Sequence, residues 1–290
     1  MVLAVDGLRM RYGDTEVLHD VSFQARHGEV VALLGPNGAG KSTTIEILEG
    51  FRLRSAGTVE VLGVDPAAGD ERWRSRLGIV LQSWRDHGNW RVRELLHHLG
   101  TYYAPYATNT IDRPWDTDEL LAEVGLGSQA EQKTKTLSGG QRRRLDVAIG
   151  IVGRPEVLFL DEPTAGFDPE ARYEFHDLVR RLAAEHETTI LLTTHDLDEA
   201  SKLADRILIL NAGRIVAAGT TRELTALIAG EDEVRWSVDG QHFRKTTPDS
   251  TGFVRDLFTQ YGASVRDLEV RRASLEETYL ALVRGQEVAL

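Results

Sequence analysis

Residues Gly35-Pro36-Asn37-Gly38-Ala39-Gly40-Lys41-Ser42-Thr43 are of the types that hold phosphate. They fit the G-x-x-x-x-G-K-[ST] pattern in full. The glycines let successive backbone N–H groups turn toward one anion. Lys41 supplies a point charge for β- and γ-phosphates, and the Ser42 hydroxyl is a hard oxygen ligand suited to Mg²⁺. A second Gly-rich signal, Leu137-Ser138-Gly139-Gly140-Gln141, lies far along the chain and reads as the start of a helix aimed at an anion. It completes no site by itself. Together the two signals suggest a nucleoside triphosphate held between two copies of the chain.

A carboxylate pair adds to this chemistry. The apolar run Val157-Leu158-Phe159-Leu160 ends in Asp161-Glu162. Strand ends beside a phosphate loop are where an α/β sheet places ligand chemistry. Asp161 is positioned to hold Mg²⁺, directly or through water. Glu162 is positioned to meet the attacking water as base or orienter, because phosphoryl transfer depends on positioning and charge stabilisation. The bland alternative is a strand end that merely caps a helix. A third run, Thr189-Ile190-Leu191-Leu192-Thr193, leads to Thr194-His195-Asp196, which puts His195 within reach of a γ-phosphate. Asp196 with Glu199 has nearly the spacing of a capping box. Asp168-Pro169 is a strong helix start.

The elements that must position these residues follow from pattern. Gly28 to Leu34 reads as a buried strand, and a helix from Ser42 to about Glu49 aims its positive end at the loop. Strands near Leu3–Val5, Val17–Ala25 and Val59–Val64 suggest an antiparallel part. From Val92 to about Gly127 the pattern is helical, with Leu95, Leu96 and Leu99 on one stripe. Trp84, Trp90, Tyr102, Tyr103 and Tyr106 read as the core of this helical subdomain, or as a groove for a partner. Arg142-Arg143-Arg144 read as a solvated face, opposite Leu145, Val147, Ile149 and Val152. Thr220 and Glu223 form a capping box before a helix ending near Ala229. Gly230-Glu231-Asp232-Glu233 reads as a boundary. Beyond it come a strand, an Asp239-Gly240 hairpin turn, a second strand, a helix near Phe253–Tyr261, a strand near Val265–Val270, and a helix capped by Ser274 with Glu277. The fold class is α/β: residues 1–229 with a helical subdomain at about 84–153, then an α+β appendage over 230–290.

The sequence has 290 residues, a net charge of −11 and no cysteine. Disulfides and thiolate metal sites are excluded, and bulk charge opposes a nucleic-acid-coating role. No run approaches the ~20 apolar residues of a membrane-spanning helix, and no N-terminal signal pattern is seen. The expected location is cytoplasmic, at a membrane only through a partner.

In this order the motifs resemble the nucleotide-binding subunit of ATP-binding cassette (ABC) transporters, over residues 1 to about 228. Gly35 to Thr43 is similar to the Walker A loop, Val157 to Asp161 to Walker B, and Leu137 to Gln141 to the LSGGQ signature. Glu162 matches the catalytic glutamate, His195 the H-loop histidine, Gln82 the Q-loop glutamine and Asp168 the D-loop aspartate. Tyr12 matches the aromatic that stacks on adenine. The D-loop reads Ala165-Gly166-Phe167-Asp168 where Ser-Ala-Leu-Asp is usual, keeping the aspartate and changing its packing. The resemblance implies a P-loop ABC ATPase core that binds ATP with Mg²⁺. It implies a homodimer, or a pair with a close relative, in which Ser138, Gly139, Gly140 and Gln141 close on the partner's ATP. Gln82 would sense γ-phosphate or Mg²⁺ and signal to a separate membrane permease subunit. Ile47 to Arg52, Thr164 to Pro169 and Ser274 to Leu280 resemble bacterial ABC-2-type exporters, daunorubicin-resistance and multidrug ATPases among them. That implies residence on the inner face of the cell membrane and a drug, lipid or polysaccharide-like cargo. The alternative is a soluble cassette ATPase acting on ribosomes or nucleic acid; a single cassette without long heptads or cysteines speaks against it.

Overall fold

The computed structural model describes residues 1–80, 87–164, 167, 169–228, 232–271, 276 and 279. The chain divides into two compact units, Met1–Val216 and Ala217–Leu290.

In the first unit, β1 (Leu3–Tyr12) and β2 (Thr15–Ala25) pair antiparallel, and β4 (Ala56–Val61) joins on the other edge of β1. Between them, β3 (Val30–Leu34) is buried at every residue, as its unbroken Val-Val-Ala-Leu-Leu run requires. It leads through the phosphate loop into α1 (Lys41–Leu48). After α2 (Glu71–Arg74) and β5 (Leu77–Val80) come three helices: α3 (Val92–Thr101), α4 (Thr117–Glu123) and α5 (Gly139–Ile151). The chain then alternates: β6 (Val157–Asp161), α6 (Pro169–Ala184), β7 (Thr189–Thr194), α7 (Leu197–Leu203), β8 (Arg206–Asn211), β9 (Arg214–Gly219).

The second sheet runs β5-β6-β7-β3-β8-β9, with β5, β6, β7, β3 and β8 mutually parallel. Its register aligns three strand ends: Asp161 pairs with Thr193, and Leu34 with Thr194. The loops after β6, β7 and β3 therefore leave from one edge side by side. One apolar core joins the two sheets, with Leu3, Leu8 and Leu18 in the same cluster as Phe159, Leu191 and Leu208.

The helical part has an aliphatic core: Leu95, Leu96, Leu120, Leu121 and Leu145 are fully buried. Of the two expectations for the aromatics, core or partner groove, the described ones do not meet the first. Trp90 packs on His87 and His98 at 5.6 and 5.0 Å, Tyr103 and Tyr106 are half-buried, and Tyr102 is exposed. The leucines fill the space between the helices. Trp84 lies outside the described residues. The arginine run is not a solvated face either. Arg143 is buried, Arg142 pairs with Asp146 at 3.4 Å, and Arg144 reaches the Gly125 carbonyl and pairs with Glu174.

In the second unit, α8 (Thr221–Ile228) starts with a capping box: Thr220 N–H donates to Glu223 Oε2 at 2.8 Å and Glu223 N–H to Thr220 Oγ1 at 3.1 Å. β10 (Asp232–Val238) and β11 (Gln241–Thr247) form a hairpin through Asp239 and Gly240, both at positive φ as such a turn requires. α9 (Ser250–Tyr261) is capped by Asp249, and β12 (Val265–Arg271) completes the sheet in the order β11-β10-β12. Val234 and Leu257 are buried here, and Trp236 packs on Phe243 and Phe253. Ser274 and Glu277 lie outside the described residues.

Candidate active site

The phosphate loop is held from below by its neighbours. Gly35 N–H donates to the Thr194 carbonyl at 3.2 Å, and Gly213 N–H to the Ala39 carbonyl at 3.1 Å. A Cβ on Gly35 would run into the Leu210 carbonyl. Gly40 has φ 105°, a conformation open to glycine, and immediately precedes the first residue of α1. Ala39 is buried, Pro36 and Thr43 are half-buried, and Asn37, Gly38 and Ser42 face outward. The backbone thus forms a cradle open to solvent over a packed base.

Lys41 crosses under the loop. Its ammonium donates to the carbonyls of Gly35 at 2.9 Å and Pro36 at 3.2 Å, and lies 3.3 Å from Glu162 Oε1. Ser42 Oγ donates to Asp161 Oδ2 at 3.2 Å. Thr193 Oγ1, at the end of β7, donates to Asp161 Oδ1 at 2.5 Å and accepts from Glu162 N–H at 3.0 Å. The other Glu162 oxygen lies 3.3 Å from His195 Nδ1. Three strand ends thereby bring Lys41, Ser42, Asp161, Glu162 and His195 into one contiguous cluster. A cavity of about 190 Å³ adjoins it, lined by Glu162, Thr164, Arg172, Thr194, His195 and Glu199 among others.

Glu162 has φ 44°, in the left-handed region, where a side-chain-bearing residue is disfavoured by about 1–2 kcal/mol. Strain of this kind persists only where surrounding structure fixes it. Thr193 fixes it on one side. On the other, the buried Arg143 of α5 donates from Nε to the Pro163 carbonyl at 2.8 Å. Burial lowers the pKa of this guanidinium, against the opposing pull of Asp146, Asp161 and Glu199. Next to the cluster, Thr164 Oγ1 donates to Glu199 at 2.7 Å, and burial raises the Glu199 pKa. Glu199 thus turns inward and does not close a box onto Asp196. Asp196 caps α7 alone, accepting from Asp198 and Glu199 N–H. Buried Glu49 is pushed up to about 8 by desolvation, then by Asp161 and Glu46.

The Leu137–Gln141 segment forms a separate helix start. Ser138 is the N-cap of α5 in a reciprocal box with Gln141: Ser138 Oγ accepts from Gln141 N–H at 3.3 Å, and Ser138 N–H donates to Gln141 Oε1 at 3.0 Å. Ser138 and Gly139 are exposed and Gly140 half-buried. No hydrogen bond joins these residues to the phosphate loop among the described residues. Tyr12 stands at the end of β1, half-exposed, with the Arg52 guanidinium 4.9 Å from its ring centre and Arg52 paired to Glu46 at 2.6 Å. Gln82 and Asp168 lie outside the described residues.

Arg143, Thr193 and Glu49 escaped the sequence reading. Thr193 had a signal, a strand-terminal threonine level with Asp161. Arg143 was concealed by two neighbouring arginines.

The fit of a divalent cation is testable from Ser42 and Asp161. Adjacent oxygens of a Mg²⁺ octahedron with bonds of about 2.0–2.1 Å stand about 3 Å apart, close to the 3.2 Å seen here. No group of three or more His, Asp or Glu that could hold a metal exists among the described residues. Further ligands would come from phosphate and water.

Residues 18–165 match the family model described as "ABC transporter". The daunorubicin resistance ATP-binding protein DrrA3 of Streptomyces coeruleorubidus is 41% identical over 79% of this chain and 71% of its own length. The Nod factor export ATP-binding protein I of Neorhizobium galegae is 39% identical over 99% of this chain and 86% of its own. A solved ATP-binding subunit of an ABC transporter superposes with a TM-score of 0.68 at 25% identity, over 97% of this chain and 99% of that one. With sequence and strand arrangement both shared, the chain belongs to the ABC transporter family, as one of its ATP-binding, ATP-hydrolysing subunits.

Proposed function

We propose that this chain powers a two-component exporter, closing as a pair around ATP bound at the phosphate loop of each copy. One observation carries the reading. Lys41, Glu162 and His195 converge at one edge of the sheet, while the Ser138 helix start is exposed and unconnected to them. A second copy would supply Ser138, Gly139, Gly140 and Gln141 to the first copy's ATP, with the α5 N-terminus favouring negative charge.

In this reading Lys41 neutralises the β- and γ-phosphates. Ser42 and Asp161 would hold Mg²⁺, which supplies charge stabilisation for the phosphate oxygens. Glu162 orients a water and takes its proton as the water oxygen attacks phosphorus and the bond to the ADP oxygen breaks. His195, with Nδ1 3.3 Å from Glu162, steadies that carboxylate and faces the γ-phosphate. Gln82 and Asp168 are proposed to join this site, and Tyr12 to stack on adenine.

Residues 1–229 are proposed to carry the chemistry. No helix is long and apolar enough to cross a membrane among the described residues. The cargo path is proposed to belong to a separate permease, which would hold this chain at the inner face of the membrane. Relatives named for Nod factor export and daunorubicin resistance support an exporter, for which a drug-, lipid- or polysaccharide-like cargo is proposed.

The test is co-expression with a candidate permease, followed by membrane fractionation and cargo efflux. The expected result is recruitment to the membrane and efflux that is lost in Glu162→Gln. Full ATP hydrolysis with no recruitment and no efflux, for every permease encoded alongside, overturns the exporter reading.

A further inference from the structure

The backbone at Glu162 is constrained from both sides by residues outside the motifs. Its φ of 44° is unusual for glutamate, and the ring of Pro163 pushes a preceding residue toward extended backbone. Thr193 of β7 holds the N–H of Glu162 through Oγ1 at 3.0 Å and its carbonyl at 3.2 Å. Arg143 Nε holds the Pro163 carbonyl at 2.8 Å from the opposite flank. Arg143 is 7% exposed, and Asp146, one turn further along α5, lies 3.8 Å from it. A buried guanidinium costs desolvation and is retained only with partners that satisfy it. Here one of those partners is the carbonyl of Pro163, the residue that follows Glu162.

We infer that Arg143 is a positioning residue for hydrolysis: it clamps the left-handed turn at Glu162, so that the carboxylate points to Lys41 and His195. The inference rests on the role of Glu162 proposed above. It has a direct mechanical content. Arg143 lies on the helix that Ser138 caps, so any displacement of the signature helix is delivered to Glu162 through one hydrogen bond. In a closed pair, Ser138 serves the partner's ATP while Glu162 serves the chain's own. The clamp therefore joins two different sites within one subunit.

The experiment is a double-mutant cycle in the full-length chain with Mg-ATP. Arg143→Met keeps an unbranched stem of the side chain and removes the guanidinium with its N–H donors. It should lower kcat about tenfold or more while KM for ATP changes less than about twofold, the pattern of a lost transition-state alignment. Arg143→Lys, which keeps the charge and a donor, should recover part of the rate. In a Glu162→Gln background the same Arg143→Met change should cost less than about twofold, because the group it positions is already disabled. An equal loss in both backgrounds, or a raised KM with unchanged kcat, overturns the inference. If Arg143→Met is not folded by circular dichroism, the cycle is run with Arg143→Lys, and the same two outcomes decide. A Glu162→Gln chain that hydrolyses ATP normally would instead overturn the role of Glu162 itself.

Discussion

Lys41 and Glu162 meet directly, ammonium to carboxylate at 3.3 Å, with the lysine 5% exposed. A γ-phosphate at the loop competes with Glu162 for the same cation. Glu162→Gln removes the competing charge and the base together. ATP should bind more tightly, while hydrolysis falls by about 100-fold or more. Equilibrium nucleotide binding and single-turnover hydrolysis check the two halves. Weaker ATP binding in the variant would contradict the competition.

Ser138→Arg places a bulky cation at an exposed helix start and leaves the cluster around Lys41 untouched. Nucleotide binding to the single chain should survive, and hydrolysis should stop. In a heterodimer of Ser138→Arg with Lys41→Ala, both lesions fall in one composite site if signature and phosphate loop act in trans. One ATP should then be occluded per heterodimer. Occlusion of none would mean that the two signals act within one chain.

The pH dependence of stability should carry the mark of Glu49. Its folded pKa, about 8, stands above the ordinary carboxyl value of 4.5, so the folded chain keeps a proton that the unfolded chain releases. This contribution is complete below pH 4.5 and is lost progressively as pH rises from there through about 8. Glu49→Gln carries no such proton. Its Tm should match that of the parent near pH 4 and exceed it at pH 8, by about 2–4 °C for each kcal/mol involved. Melting curves across that range decide the matter, and parallel curves for the two proteins would refute it.

A chain ending at residue 229 keeps Lys41, Ser42, Asp161, Glu162 and His195. It should bind Mg-ATP and differ from the full chain in dimer stability, solubility or basal rate. A folded chain of that length unable to bind nucleotide, as judged by fluorescence titration, would place the boundary elsewhere.

Much of the cluster was legible because each part is a short local pattern. Gly35 to Thr43 announces a strand–loop–helix, and Asp161-Glu162 and His195 each follow an apolar run that can only be a buried strand. The adjacency of β3, β6 and β7 was not legible, because parallel neighbours need not be consecutive and nothing local encodes their order. Arg143 was misread for a related reason. Its burial depends on Pro163, which no helical periodicity in α5 reveals. The aromatics near α3 misled in the opposite direction: size suggested a core, but Leu95, Leu96, Leu120 and Leu121 already fill it.

The central place of β3 also sets a timetable. Val31 pairs with Leu191 on one side and with Arg206 on the other. During synthesis from the N-terminus, the strand that carries the phosphate loop waits for both partners until the chain has been extended through β8. Such non-local pairing is slow and leaves an apolar strand exposed meanwhile. The cluster around Lys41 and Glu162 is therefore among the last features of the first unit to be completed. A nucleotide that bound only the finished sheet would stabilise completed chains and leave nascent ones unaffected.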